Sequence, residues 1–155
     1  MAPLGPRPTI GAFPTLHGHP TPRRRRMAHP NEELLRRAYE AFGKGDIDTV
    51  LGAFDDDIVW HVPGRNPIAG DYKGKAEVTA FFGKILELSG GTFKLEVHDV
   101  LANDEHVIVL SRLTGERAGK RLDDNAVHTW HVENGKATEF WGVSLDPYAE
   151  DEFWS

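Results

Sequence analysis

The pair Asn134-Gly135, which separates two β-rich segments, is the feature that most limits how this chain can fold. An Asn-Gly pair favours the two-residue turn whose twist matches that of a β-hairpin. The flanking segments KRLDDNAVHTWHV (120–132) and KATEFWGVSL (136–145) are predicted to pair as strands. Two more β-rich segments, TFKLEVHDVL (92–101) and HVIVLSRLTG (106–115), precede them. The second half of the chain is therefore predicted to form an antiparallel meander of four strands.

The first half of the chain has helical periodicity instead. Apolar residues at helical spacing follow Asn31, which is predicted to cap a helix that ends near Gly43. Asp46 is predicted to cap a short second helix, and a third helix is expected over about 75–88. A strand is predicted at IVWHV (58–62), a loop at 63–74, and a last helical turn or two at PYAEDEFW (147–154).

Helices segregated from an antiparallel meander predict an α+β fold rather than a parallel α/β sheet. A long sheet with one apolar face twists and curls, which leaves a concave side between the sheet and the helices. Small ligands bind in concave, mostly apolar spaces that carry a few polar groups. The sequence therefore predicts a hydrophobic pocket.

Length, charge and composition exclude several classes of protein. The 155 residues correspond to one domain, and the absence of cysteine excludes disulfides and thiolate sites. The net charge is −6, with +5 in residues 1–26 and therefore −11 in the rest, which argues against a nucleic-acid-binding domain. No apolar run approaches the ~20 residues of a membrane span, so a cytoplasmic protein without membrane contact is expected.

Residues 1–27 are predicted to be a disordered leader, and residues 28–155 a single domain. Residues 1–26 hold six of the ten prolines and no periodic apolar pattern. The arginine run at 23–26 could bind an anionic surface or act as a nuclear-localisation signal. The favoured interpretation is a leader without function, or a start codon placed upstream of the true start at Met27. HGH (17–19) is at most a weak metal ligand set.

The segments AYEAFGKGDIDTVLGAFDDDIVWHVPG and YKGKAEVTAFFGKI, with the four closing strands, resemble the nuclear transport factor 2-like superfamily. Within it the chain is most similar to the SnoaL-like branch, related to polyketide cyclases and ketosteroid isomerases, over residues 31 to about 147. The resemblance implies a cone of curved sheet packed on three helices, usually homodimeric, around a hydrophobic pocket. The superfamily includes both enzymes and non-catalytic binding proteins, so the fold does not decide the function.

The ketosteroid isomerases in this superfamily use a Tyr on the first helix, an Asp ending the first strand and a protonated Asp on a late strand. By alignment these positions hold Ala38, Val62 and His128. Tyr39 lies one residue from the tyrosine position, on a different side of the helix. The resemblance therefore implies an oxyanion-binding role for His128 and no isomerase-type base.

Four titratable residues are the catalytic candidates. His128 shares a strand face with Ala126 and Trp130, where it is either an acid/base or oxyanion group or a hydrogen-bonded core histidine. Asp124 lies on the same face, but about 13 Å along the strand, too far for a direct pair with His128. Glu139 is interpreted as a pocket acid or, preferably, a rim or dimer-face residue. His61 is the fourth candidate, although Trp60 and Val62 on either side of it are expected to face inward.

Aromatic and apolar side chains are predicted to form the ligand-binding wall, since aromatic walls suit flat or polycyclic ligands. The candidates are Trp60, Val62, Tyr72, Phe82, Ala126, Trp130 and Trp141. No metal-ligand spacing or phosphate-binding loop is found, so no metal and no cofactor is predicted. The expected function is a cofactor-independent isomerase, cyclase or hydrolase acting on a hydrophobic, polyketide- or steroid-like substrate. The alternatives are a non-catalytic hydrophobic-ligand-binding protein and a dimeric scaffold.

Overall fold

The computed structural model describes residues 27–155. The predicted leader, with its arginine run and HGH segment, lies outside the described residues apart from Met27. The helices are α1 (Pro30–Gly43), α2 (Ile47–Gly52), α3 (Gly74–Leu88) and α4 (Pro147–Trp154). The strands are β1 (Phe54–Val62), β2 (Gly70–Lys73), β3 (Lys94–Ala102), β4 (His106–Arg117), β5 (Lys120–Glu133) and β6 (Lys136–Ser144).

The six strands form one mixed sheet in the order β2-β1-β6-β5-β4-β3. All neighbouring strands are antiparallel except β1 and β6, which are parallel. The last strand, β6, therefore lies beside the first strand, β1. The predicted antiparallel meander β3-β4-β5-β6 is confirmed. Asn134 and Gly135 have positive φ angles of 50° and 72°, as a primed hairpin turn requires. The α+β cone of curved sheet packed against helices is confirmed.

The helices cover one face of the sheet. α1 packs against β3 and β4, α3 against β1 and β2, and α4 against β5 and β6. Burial alternates along β5, where Leu122, Ala126, His128, Trp130 and Val132 are all buried on the face turned towards the helices. This alternation places the core between the helices and the concave side of the sheet. No helix within residues 27–155 is both long and apolar enough to cross a membrane.

The helix caps agree with the sequence at one site and differ at another. Asp46 caps α2 as predicted, because its carboxylate accepts a hydrogen bond from the backbone N–H of Thr49 at 3.2 Å. The prediction that Asn31 caps α1 is wrong: α1 begins at Pro30, and the side chain of His29 accepts from the backbone N–H of Asn31. The Asn31 amide is buried and donates instead to the carbonyl of Asn103 at 3.0 Å, which ties α1 to the β3–β4 turn.

Two strand boundaries also differ from the sequence prediction. β1 begins at Phe54, four residues earlier than expected, and so includes the three aspartates at 55–57. A register shift in the β1–β6 pairing between Phe54 and Val59 accommodates these acidic residues. β2 lies inside the segment predicted to be a loop and pairs with the end of β1. A strand of four residues, none of them buried, offers no apolar alternation to detect.

Candidate functional site

A mostly apolar pocket lies between the concave face of the sheet and the helices. The space within the pocket and its mouth amounts to about 850 Å³. Side chains from all four helices and from β1, β3, β4, β5 and β6 line it. Its polar groups are few: the side chains of Tyr39, His128, Ser144 and Glu150 and the indoles of Trp60, Trp130 and Trp154.

A chain of hydrogen bonds crosses the pocket wall from β5 to α1. The indole N–H of Trp130 donates to the hydroxyl oxygen of Tyr39 at 3.1 Å. The same hydroxyl lies 2.6 Å from Nδ1 of His128. His128 and Trp130 are two residues apart on β5 and so share the inward face. Tyr39 reaches both of them from the opposite layer of the fold.

Burial keeps this hydrogen-bonded chain uncharged. It lowers the pKa of His128 from 6.5 to about 4, because the charged imidazolium loses its hydration and no carboxylate contacts the ring among residues 27–155. Burial likewise raises the pKa of Tyr39 far above its usual value, and the hydrogen bond from Trp130 offsets only part of this. Both groups are therefore neutral at pH 7.

The direction of the hydrogen bonds follows from their chemistry. Indole can only donate, so the Tyr39 oxygen accepts from Trp130. The buried Tyr39 proton then needs an acceptor, and Nδ1 of His128, 2.6 Å away, is the acceptor that the hydroxyl contacts within residues 27–155. A neutral imidazole that accepts at Nδ1 carries its proton on Nε2. No group within residues 27–155 hydrogen-bonds Nε2. The arrangement presents an N–H donor on the pocket wall.

Gly142 leaves room for the imidazole and for an aromatic neighbour. It is the β6 partner of His128. A Cβ atom on Gly142 would lie 3.0 Å from Cζ of Phe140 and 3.6 Å from Cδ2 of His128. Phe140 packs edge-on against His128, with ring centroids 5.0 Å apart, and stacks on Trp60 with centroids 3.8 Å apart. The donor thus lies among aromatic rings.

A second polar group of residues lies where β6 runs into α4. Ser144 hydrogen-bonds the carboxylate of Asp124, and Glu150 and Trp154 line the pocket beside Ser144. Burial raises the pKa of Glu150, while Trp154 and Ser144 lower it by a smaller amount and the negative charges of Asp124 and Asp151 raise it further. Trp154 Nε1 is fully buried and has no hydrogen-bond partner by distance and angle within residues 27–155.

The structure brings most of the sequence-predicted residues together. Trp60, Val62, Phe82, Ala126, Trp130 and His128 all line the pocket. Asp124 does not line it but contacts it through Ser144, and, as expected, it forms no direct pair with His128. Tyr72 is not among the lining residues, because its hydroxyl donates to the Ile68 carbonyl at 2.7 Å and its ring packs on Phe81.

Trp141 does not lie at the pocket as predicted, and the catalytic candidates His61 and Glu139 do not line it either. All three face the convex side of the sheet, because Trp60 and Phe140, their neighbours along β1 and β6, face inward. His61 Nε2 lies 2.7 Å from the Glu139 carboxylate, and the ring stacks on Trp141. The preferred interpretation of Glu139 as a residue outside the pocket agrees with this position.

His61 also belongs to a chain of charged groups on the convex side. Its Nδ1 lies 2.7 Å from Asp71, and Glu139 extends the chain to His131 at 3.4 Å. Burial by itself would lower the pKa of His61, but the hydrogen bonds and charges of Glu139 and Asp71 together raise it. These residues stabilise the sheet surface and do not contact the pocket.

Sequence reasoning missed Tyr39 and Glu150. Tyr39 lies in the apolar stripe of the first helix. It is offset by one residue from the position that the resemblance assigned to a catalytic tyrosine, and this offset predicted a side chain outside the site. Glu150 lies in PYAEDEFW, whose acidic residues resemble a solvated helix face. The aromatic end of that segment was the available signal, since Phe153 and Trp154 must be buried and so turn Glu150 towards the sheet.

Comparison with known proteins agrees with this architecture. Uncharacterised proteins of Mycobacterium bovis and Mycobacterium tuberculosis are 35% identical over 124 residues, which cover 79% of this chain and 95% of theirs. The structure of Bal32a, from a soil-derived mobile gene cassette, is 42% identical with a TM-score of 0.79 and covers 81% of this chain and 97% of that one. A protein of unknown function with a cystatin-like fold from Xanthomonas campestris is 29% identical with a TM-score of 0.77, covering 81% and 98%.

The sequence pattern of the SnoaL-like domain matches residues 35–140. The matched region begins in α1, beside Tyr39, and ends in β6 at Phe140, so it contains the whole Trp130–Tyr39–His128 chain. The chain belongs to the SnoaL-like family of the nuclear transport factor 2-like superfamily.

Proposed function

We propose that the protein is a cofactor-independent acid–base enzyme acting on a hydrophobic, polyketide- or steroid-like molecule that carries a carbonyl or epoxide oxygen. The observation that carries the proposal is the neutral His128, buried in an aromatic pocket and held by Tyr39 so that its Nε2–H has no acceptor among residues 27–155. Such a preorganised donor stabilises negative charge that develops on a substrate oxygen. The reaction classes that fit are isomerisation, cyclisation and hydrolysis.

The roles of the residues follow from their position. His128 donates a hydrogen bond to the substrate oxygen, and Tyr39 fixes the imidazole tautomer and orientation. The aromatic rings of Trp60 and Phe140 hold a flat ligand and exclude water, which strengthens the hydrogen bond. Of the other three catalytic candidates, Asp124 is the one connected to the pocket, through Ser144, so proton transfer to or from it passes through the Ser144 hydroxyl.

A second candidate function is ligand binding without turnover. The observation that favours it is Val62, an apolar residue lining the pocket at the position where the related isomerases hold their base. Both functions require the same ligand pose at His128. They differ only in whether a proton is transferred.

The test compares binding and turnover in matched variants. Steroid and polyketide ketones are titrated into the protein while quenching of tryptophan fluorescence is followed, and products are analysed by mass spectrometry and NMR. His128→Asn removes the Nε2–H donor and retains an acceptor for Tyr39, whereas His98→Asn removes an exposed histidine. An enzyme loses about 10²–10³-fold in turnover in the first variant and none in the second. Binding of such ketones with no turnover in the wild type supports the second function, and no quenching across the panel refutes both.

We further propose that the convex face of the sheet mediates homodimerisation. Adjacent strands place an apolar patch there, and two of its members, Leu101 and Val143, are 53% and 49% exposed. The patch consists of Leu101, Ile108, Leu110, Val127, Trp141 and Val143. Covering it with a second copy would remove an exposed hydrophobic surface. Analytical ultracentrifugation is expected to give a dimer for the wild type and a monomer for Val143→Glu, and a monomeric wild type at micromolar concentration would contradict the proposal.

A further inference from the structure

The pocket reaches solvent beside the loop that joins β1 to β2. Pro63, the first residue of this loop, is exposed, and within residues 27–155 it is the one exposed residue among those that line the pocket. Ile68, later in the same loop, is 3% exposed and also lines the pocket. The loop therefore borders the pocket mouth with one residue and covers the interior with another.

One carboxylate of α4 is hydrogen-bonded to this loop across the mouth. Asp151 Oδ1 accepts from the backbone N–H of Arg65 at 2.8 Å and from the side-chain amide of Asn66 at 2.7 Å. Within the described part of the chain, no other hydrogen bond joins residues 63–69 to α4. Gly64 allows this close approach, because a Cβ atom there would lie 2.6 Å from Asp151 Oδ1. The hydrogen bonding between the loop and α4 thus depends on Asp151.

The segment between Gly64 and Gly70 is built to turn as one unit. Asn66 holds its interior, because Asn66 Oδ1 accepts from the backbone N–H groups of Ile68 at 3.0 Å and Ala69 at 3.1 Å. Gly64 and Gly70 flank the segment with φ angles of 125° and 146°, a backbone conformation that other residues rarely adopt. Hinges are formed by a few loop residues, often small ones, that absorb large changes of φ and ψ. The two glycines are therefore suited to act as hinges.

The other side chains that hold this segment lie on the side of β2 and α3. The hydroxyl of Tyr72, in β2, donates to the carbonyl of Ile68 at 2.7 Å. Lys84, in α3, donates to the carbonyl of Pro67 through a long, exposed side chain that can follow a movement of the segment. Breaking the contact with Asp151 would therefore free one edge of the segment and leave the opposite edge attached.

We propose that residues 64–70 form a flap over the pocket mouth, that Asp151 is the latch that holds the flap closed, and that ligands enter and leave when this latch opens. The inference rests on the proposed function only in that the pocket binds a hydrophobic ligand, and it requires no turnover. Asp151 does not line the pocket, so it makes no contact that favours the bound state. The same two hydrogen bonds break for entry and for exit. The latch therefore controls the rates of binding and release and not the affinity.

Stopped-flow fluorescence with the full chain measures these rates. The probe is prodan, an uncharged naphthyl ketone whose emission changes when it leaves water. Asp151→Ala should raise both the association and the dissociation rate constants about tenfold, the effect of roughly one hydrogen bond, and leave the Kd within about twofold of the wild type. Glu152→Ala removes an exposed carboxylate from the same helix and should change neither rate.

Exchanging the two latch side chains separates the latch from general packing. Asn66→Asp keeps the oxygen that holds Ile68 and Ala69 but places a second carboxylate against Asp151, so it should also increase both rates about tenfold. Combining it with Asp151→Asn restores one carboxylate and one amide and should return both rates to within about threefold of the wild type. A combined variant as fast as Asn66→Asp alone would overturn the latch.

Relaxation dispersion of the ¹⁵N-labelled free protein tests the flap without a ligand. The backbone amides of residues 65–69 should show microsecond-to-millisecond exchange that increases in Asp151→Ala, whereas the amides of β5 should show no increase. Absence of exchange in both proteins, unchanged prodan rates in Asp151→Ala, or a change in Kd through the dissociation rate alone would overturn the proposal. Failure of prodan to bind would count against the proposed function, and the relaxation data would still decide whether the flap opens.

Discussion

Replacing His128 by Asn should remove a large part of the acid sensitivity of the fold. In the unfolded chain this histidine titrates near 6.5, whereas burial lowers its pKa to about 4 in the native state. Between these two values the unfolded state binds the proton and the native state does not. Lowering the pH through this window therefore favours unfolding, and raising the pH above 6.5 restores the full stability.

The magnitude follows from the two pKa values. The difference between 6.5 and about 4 corresponds to about 3 kcal/mol of unfolding free energy, most of it lost between pH 6.5 and pH 4.5. His128→Asn lowers stability at pH 7, because it removes packed ring atoms, but its stability should fall less steeply on acidification. The two curves are expected to converge by about 2–3 kcal/mol as the pH falls from 7 to 4.5.

Urea unfolding followed by tryptophan fluorescence at several pH values measures both curves. His98→Asn, which removes an exposed imidazole, serves as the control and should keep the wild-type pH dependence. An NMR titration of His128 in the native protein provides an independent measurement. Parallel curves for the wild type and His128→Asn, or a native His128 that titrates near 6.5, would refute the reasoning that burial keeps this ring neutral.

Three further perturbations test other parts of the structure. Tyr39→Phe leaves two buried ring nitrogens without a partner and should cost about 1–3 kcal/mol in urea unfolding, whereas Tyr148→Phe, at a residue 85% exposed, should cost nothing measurable. Gly142→Ala forces the Phe140 ring to move from 3.0 Å and should cost about 1–3 kcal/mol with a changed near-UV circular dichroism; an unchanged spectrum and stability would contradict the close contact. The pKa of His61 is raised, so its ion pairs stabilise the fold fully below pH 6.5 and less as the pH rises through the pKa of the folded state. The difference in unfolding free energy between the wild type and His61→Gln should therefore decrease from pH 6 to pH 9. A difference that stays constant would count against the ion pairs.

Sequence patterns predicted those features that depend on local periodicity. The alternation along β5 placed His128 and Trp130 on the buried face, and the turn at Asn134-Gly135 set the last hairpin. The separation of Asp124 from His128 followed from strand geometry alone. These are properties of single strands and turns, so they can be read without knowledge of the tertiary structure.

The remaining features depend on contacts between distant segments. Both rows of β6 are rich in apolar residues, so the side of Glu139 was decided only by the parallel pairing of β6 with β1. Helical spacing places Tyr39 in the apolar stripe of α1. It does not show that the hydroxyl reaches His128, because that contact depends on how α1 packs against β5. Glu150 is turned inward by the docking of α4, which the aromatic residues Phe153 and Trp154 indicate but the acidic residues around it do not.

The parallel pairing of β1 with β6 has a consequence for how the protein folds. The two strands adjoin only when the whole meander is complete, and the hydrogen bond between Tyr39 and His128 joins residues 89 positions apart. Contacts of such long sequence separation slow folding, because the loop must close before they form. During synthesis α1 and β1 leave the ribosome with their apolar faces uncovered, and the ligand pocket forms only once β5 and β6 have been made.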